Sequence, residues 1–188
     1  MVENYNPKLN SFLSRLSQPK VLFLLMLVVA IGVSAQALFQ GTRSVAGGEY
    51  THYNNYLIFK QSFYHLLEGQ SLYGAYPQEY FDYFKYSPTF ALLFSCFAIL
   101  PDALGLSLWN VFNLFMMLFA LLALPSFDKR WIGAIVLLSI FELITTTQNV
   151  QSNTLMLAFF IGTFACLERE KYLFAVVLIG LAIYTKLY

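Results

Sequence analysis

Charge is what this chain has least of: Asp, Glu, Lys and Arg make up 11% of its 188 residues, against about 25% in ordinary soluble domains. So few charges cannot clothe a water-exposed surface, which excludes an ordinary soluble fold. Histidine and cysteine are nearly missing too, with 2 of each. No HxxxH, CxxC or HExxH spacing occurs and no Gly-rich phosphate loop is present, so neither a metal site nor a cofactor is expected. The net charge of +1 gives nucleic acid nothing to hold, and no such partner is expected. Cys96 and Cys166 fall inside apolar runs, where buried, unpaired thiols are expected.

What the chain does have is apolar residues, 59% of the total. The charges are clustered: none lies between Lys20 and Arg43, only Asp102 between Lys85 and Asp128, and only Glu142 between Arg130 and Glu168. A bilayer crossing takes about 20 mostly apolar residues, so the expected fold class is an all-α polytopic membrane protein. Val21 to Phe39 is read as the first span. It is too long for a secretory signal and has no small-residue cleavage pattern. Residues 1–20 carry Lys8, Arg15 and Lys20 against Glu3, a bias that holds such a head in the cytoplasm. Residues 40–87 then form a long external loop, and residues 88–188 supply about four to five further membrane segments.

The external loop holds both histidines and many tyrosines, and loops of this length tend to be functional. Tyr56, Phe59, Phe63, Leu66 and Leu67 recur at helical spacing, with Lys60, Gln61 and Glu68 elsewhere on the wheel and Gly69 as a cap. That pattern predicts an amphipathic helix on the membrane surface. A second short helix is expected from Pro77 through Glu79, Asp82 and Lys85. Beyond Pro88 two topologies are open. If residues 88–100 cross, the basic loops 128–130 and 168–171 fall outside, against the positive-inside tendency; if the segment around Pro101 is broken, both return to the cytoplasm.

Three stretches resemble glycosyltransferase family 87, a GT-C class family, over roughly residues 20–188. Asn55-Tyr56-Leu57-Ile58-Phe59, running to Leu66-Leu67-Glu68-Gly69 and Leu72-Tyr73, is similar to the family's Asp-aromatic-x-x-aromatic start, Leu-Leu-x-Gly end and following Tyr. Phe84-Lys85-Tyr86-Ser87-Pro88, then Ala91-Leu92-Leu93, Leu100-Pro101 and Trp109, is similar to its Phe-x-Tyr-Pro-Pro, Ala-Leu-Leu, Leu-Pro and Trp elements. Gln151-Ser152-Asn153 and Gly180-Leu181-Ala182 with Lys186 resemble its Gln-x-Asn and Gly-Leu-Ala-x-x-x-Lys elements.

The resemblance implies a GT-C-like N-terminal transmembrane module and transfer of a sugar from a polyprenyl-phosphate donor to a lipid or glycan acceptor. The expected setting is the outer face of a bacterial cytoplasmic membrane, among membrane lipids. Attack by an acceptor hydroxyl needs a base, and a leaving phosphate needs cationic donors. Where the family has Asp, this chain has Asn55, and an amide cannot take the proton. Glu49 and Asp82 are therefore the expected catalytic carboxylates, with His52 a further base. Asn55, Lys85, Tyr86, Gln151, Asn153 and Lys186 are the expected substrate-binding residues.

Bland readings stand beside these. Asn55 suits a helix N-cap; Lys85 and Tyr86 suit interfacial anchors; the amides suit helix–helix contacts; Glu142 suits a pair with a lysine such as Lys186. The rival functions are a transporter or lipid-handling protein and a non-catalytic binder of lipid-linked sugar. Because the sequence stops at Lys186-Leu187-Tyr188 inside an apolar run, a truncated and divergent member is expected.

Overall fold

A computed structural model of the chain describes residues 7–45 and 48–186. Helix α1 (Pro7–Leu16) opens on proline and closes with Arg15 in its last turn, placements that suit a first helical position and a negative dipole end. Helix α2 (Pro19–Phe39) is 21 residues long, about 32 Å at 1.5 Å per residue, enough for the hydrocarbon core of a bilayer. It buries Leu22, Met26, Ala30, Val33, Ser34 and Ala37 on one stripe.

A short antiparallel hairpin follows, β1 (Thr42–Val45) and β2 (Gly48–Thr51), with Arg43 opposite Tyr50. This departs from the all-α expectation, because neither strand alternates polar and apolar residues strongly enough to be read locally. Helix α3 (Asn54–Leu67) matches the predicted helix, and Gly69 at φ +68 ends it. Gln70 N–H reaches His65 O at 2.8 Å and Gly69 N–H reaches Leu66 O at 3.4 Å, a Schellman closure that needs the left-handed residue glycine supplies. The apolar face meets protein instead of lipid. Phe59 lies edge-on to Phe90, Phe94 and Trp109 at centroid distances of 5.0, 5.4 and 6.0 Å.

The second helix expected at Pro77 is absent. Residues 77–79 make one turn, closed by Glu79 N–H and Tyr80 N–H on Tyr76 O. The segment is held as a strap: Asn54, buried, donates to Phe81 O at 2.6 Å and accepts from Phe81 N–H at 2.8 Å. Helices α4 (Pro88–Leu93) and α5 (Ser95–Ala98) then span only 6 and 4 residues, too short to cross a bilayer. Lys60 bonds Asp102 at 2.6 Å and Tyr56 donates to Phe97 O at 3.2 Å, so α3, α4 and α5 stay at one end of the molecule. Residues 88–98 are thus broken into two short helices and do not form one span-length helix.

Helix α6 (Asp102–Ala123), 22 residues long, runs back along α2. Asn110 donates to Ser34 Oγ at 2.9 Å, and farther along Phe23 meets Phe119 at 4.8 Å, so the two are antiparallel. A Cβ on Gly105 would strike the Tyr56 hydroxyl and the Phe97 carbonyl oxygen, so only glycine lets α3 approach. After a 3-10 turn at Lys129–Trp131, α7 (Ile132–Leu138) and α8 (Ile140–Gln148) form one apolar path bent by 58°. Helices α9 (Asn153–Glu168) and α10 (Tyr172–Thr185) complete the bundle. Among the described residues, 2 helices are long and apolar enough to cross a membrane, or up to 3 if the bent pair is one span. Cys96 is exposed and Cys166 half-buried, both free. The expectation of unpaired thiols is met, and that of burial is not.

The bundle therefore has two ends. At the α1 end, Ser17 donates to Arg130 O at 2.7 Å and accepts from Gly133 N–H at 2.9 Å. At the hairpin end lie β1, β2, α3 and the 149–153 turn, where Gln148 meets Gln36 at 3.1 Å.

Candidate functional site

The 149–153 turn is built around a conformation its sequence resists. Val150 has φ +50 and is buried, although β-branched residues rarely enter the left-handed region and doing so costs about 1–3 kcal/mol. Gln151 N–H bonds Thr146 O at 3.1 Å and Val150 N–H bonds Thr147 O at 3.0 Å, the closure that glycine usually provides. The buried valine offsets the strain by packing inward. The flanking amides of Asn149, Gln151 and Asn153 are left at the surface of this end.

Onto that turn the fold brings residues far apart in sequence. Lys186 Nζ lies 3.3 Å from Asn153 Oδ1 and 5.6 Å from the centre of the Tyr86 ring. Asn153 Nδ2 donates to Gln151 Oε1 at 2.6 Å, and Ser152 Oγ donates to the Tyr86 hydroxyl at 3.3 Å. Ser87 caps α4 by accepting from Phe90 N–H and donates to Tyr184 O. Tyr86, Gln151, Asn153 and Lys186 thus form one cationic, hydroxyl- and amide-bearing patch. Phe90, stacked on Tyr86 at 4.6 Å, and Thr185, next to Lys186, also line an apolar groove of about 320 Å³ between α4, α5, α6, α9 and α10.

Asn55 lies on the other side of the same turn. Its Nδ2 donates to Asn149 O at 2.7 Å, and Tyr53 precedes the helix, so Asn55 is not the N-cap. A polar cavity of about 250 Å³ opens here, lined by the amides of Gln36, Gln40, Asn55, Gln148 and Asn149. Arg43 reaches it from β1 and His52 from the turn between β2 and α3. Arg43 was not legible as a site residue because the lining comes from four separate segments with no local spacing.

Glu49 and Asp82 sit apart from this cavity. Glu49 accepts from Thr42 at 3.4 Å and borders a depression shared with Glu79. Asp82, at φ +79, pairs with Lys85 at 2.6 Å and borders a depression beside Tyr50 and Tyr80. Burial pushes the Asp82 carboxyl up, but hydrogen bonds from Lys85 and the Tyr83 N–H, with the lysine's charge, outweigh it and hold it below the usual carboxylate range. Burial, assisted by the Glu79 charge, pushes the Tyr80 phenol up to about 12, so it stays protonated at neutral pH. Lys85 is engaged by Asp82 and does not join the Lys186 patch. Glu142 accepts from Thr146 at 3.3 Å within its own helix, instead of the lysine pairing expected. Among the described residues no group of three or more His, Cys, Asp or Glu is placed to hold a metal ion.

The profile of glycosyltransferase family 87 matches residues 84–188, more than half of the sequence. No curated protein and no solved structure matches the chain. The matched region opens at Phe84, the first residue of the second resembling stretch, and contains Tyr86, the 149–153 turn and Lys186; the Asn55–Tyr73 stretch precedes it. The patch around Lys186 is therefore made entirely of residues inside the matched region, and the chain belongs to glycosyltransferase family 87.

Proposed function

We propose that this membrane glycosyltransferase takes its sugar from a polyprenyl phosphate and passes it to an envelope acceptor at the outer face of the cytoplasmic membrane. One observation carries the reading: the cationic patch of Lys186, Tyr86 and Asn153 adjoins an apolar groove, reached through Phe90, stacked on Tyr86, and Thr185, next to Lys186. That juxtaposition suits an amphiphile, with its phosphate on the lysine and its isoprenoid tail along Phe90, Phe97, Trp109 and Phe159. The charges support the orientation. Lys8, Arg15, Lys129 and Arg130 belong to the α1 end, which the positive-inside tendency assigns to the cytoplasm; a crossing by α2 then leaves the hairpin end outside.

In the transfer, the acceptor oxygen forms a bond to the anomeric carbon as the bond from that carbon to the phosphate oxygen breaks. The phosphate leaves with the electron pair, and Lys186 stabilises its charge. The hydroxyl proton passes to a base, in a single displacement that inverts the anomeric centre. Glu49, Asp82 and His52 compete for that role. His52 is favoured because it lines the cavity that holds Asn55.

The test uses the full-length protein in lipid nanodiscs with a panel of radiolabelled polyprenyl-phosphate hexoses and pentoses. Transfer or slow hydrolysis of at least one donor is expected, and loss of that turnover in Lys186→Gln. If no donor is turned over or bound, the reading fails. Binding without turnover would favour a lipid-linked-sugar binder, which the amide at position 55 and its bond to Asn149 O would explain.

A further inference from the structure

The polar cavity beside Asn55 has an unusual charge balance for an end of the molecule rich in carboxylates. Each carboxylate there is engaged elsewhere: Glu49 with Thr42 at 3.4 Å, Glu68 with Gln70 at 2.9 Å, Glu79 with His65 at 2.9 Å, Asp82 with Lys85 and Asp102 with Lys60, both at 2.6 Å. None of them lines the cavity, whose titratable members are Arg43 and His52. Among the described residues Arg43 has no ion-pair partner. The cavity also meets the first turn of α3 at Asn54 and Asn55, where the helix dipole adds positive potential. The rest of the wall is amide, able both to donate to and to accept from hydroxyl groups.

We infer that this cavity binds the acceptor, and that the acceptor is an anionic saccharide or glycolipid head group whose phosphate or carboxylate is held by Arg43. The role as acceptor site rests on the donor assignment above. Asn149 walls the cavity while Asn153, itself bonded to Gln151, holds Lys186, so the two substrates would meet across one turn. The hairpin positions the guanidinium, Arg43 standing opposite Tyr50, and guanidinium groups pair with phosphate and carboxylate in a two-pronged geometry.

Binding of glucose 6-phosphate, glucuronate and methyl glucoside to the full chain in nanodiscs, measured calorimetrically, tests this. At least one anionic probe should bind roughly tenfold more tightly than the neutral one, the scale of a charge-assisted pair at a half-exposed site. The phosphate and carboxylate arms separate the two kinds of acceptor. Arg43→Gln should reduce the anionic probe to the level of methyl glucoside, and Arg43→Lys should retain most of the preference. Equal binding of all three probes, binding of none, or an anionic preference that survives Arg43→Gln would overturn the inference. Farnesyl phosphate, titrated into the same preparation, reads the Lys186 patch separately. Its failure to bind defeats the donor assignment, while the anionic preference of the cavity is measured independently.

Discussion

At the α1 end, Ser17 uses both its donor and its acceptor on the backbone of the 130–133 segment, and Asp128 closes on Arg130 at 2.5 Å. At the hairpin end, Asp82 and Val150 stand at positive φ, as Glu170 does in the turn between α9 and α10 at the other end, and Arg43, His52 and several amides face an open cavity. One end spends its polar groups on itself. The other pairs its carboxylates too but leaves Arg43 and a wall of amides facing a cavity beside the buried, left-handed Val150, the kind of strained position that gathers where ligands bind.

The contrast can be broken most forcefully at Lys186. Lys186→Gln is expected to lower sugar transfer about a hundredfold or more, the scale on which removing one stabiliser of developing charge acts. Its melting temperature should stay close to that of the parent; a large fall would make the lysine structural and erase the distinction between the ends. The opposite behaviour is expected at Gly133, where a Cβ would lie 2.7 Å from Leu16 Cγ and 2.9 Å from its backbone carbon. Gly133→Ala should destabilise by about 2 kcal/mol, while transfer per folded molecule is unchanged. Thermal unfolding in detergent and specific activity, measured on one preparation, check both.

Asn54→Ala tests whether the strap over α3 belongs with the site or with the scaffold. It removes two hydrogen bonds to Phe81, at 2.6 and 2.8 Å, and is expected to cost about 1–2 kcal/mol. Proteolysis between residues 71 and 87 should quicken more than global unfolding does. Smallest is the effect of Asp82. Its folded pKa is lowered, so the Lys85 pairing stabilises above about pH 4, the unfolded value, and that contribution disappears as the pH falls through the lowered value. The side chain is 43% exposed, and the gain is well under about 1 kcal/mol. Asp82→Asn should lower stability at neutral pH by well under about 1 kcal/mol and flatten the acid limb of the stability–pH curve, and an acid limb as steep as the parent's would contradict this account.

Much of the fold was written locally. Uncharged runs of span length specify α2 and α6, and the spacing of Tyr56, Phe59 and Phe63 with Gly69 specifies α3 to within two residues at its start. The hairpin was hidden because Thr42–Val45 and Gly48–Thr51 carry no two-residue alternation. The helix expected at Pro77 failed because Asn54, distant in sequence, pins Phe81 in a different path. The Lys186 patch was partly visible, since its members lie in segments that resemble a family. The cavity was not: Gln36, Arg43, His52 and Asn149 come together only once α2, the hairpin, α3 and α8 have met.

The lengths of the last two helices bear on the membrane itself. With 16 and 14 residues, α9 and α10 run about 24 and 21 Å, several ångströms less than a hydrocarbon core of about 30 Å. On a spanning reading, lipid beside them must compress or water must descend to the helix ends, since such mismatch is relieved by thinning and snorkelling. Lys186 and the 149–153 turn would then lie at the floor of a dimple. The lipid-linked sugar proposed above as donor would reach them by sinking with its headgroup into thinned bilayer, so on that proposal bilayer thickness would become a control on turnover independent of any side chain.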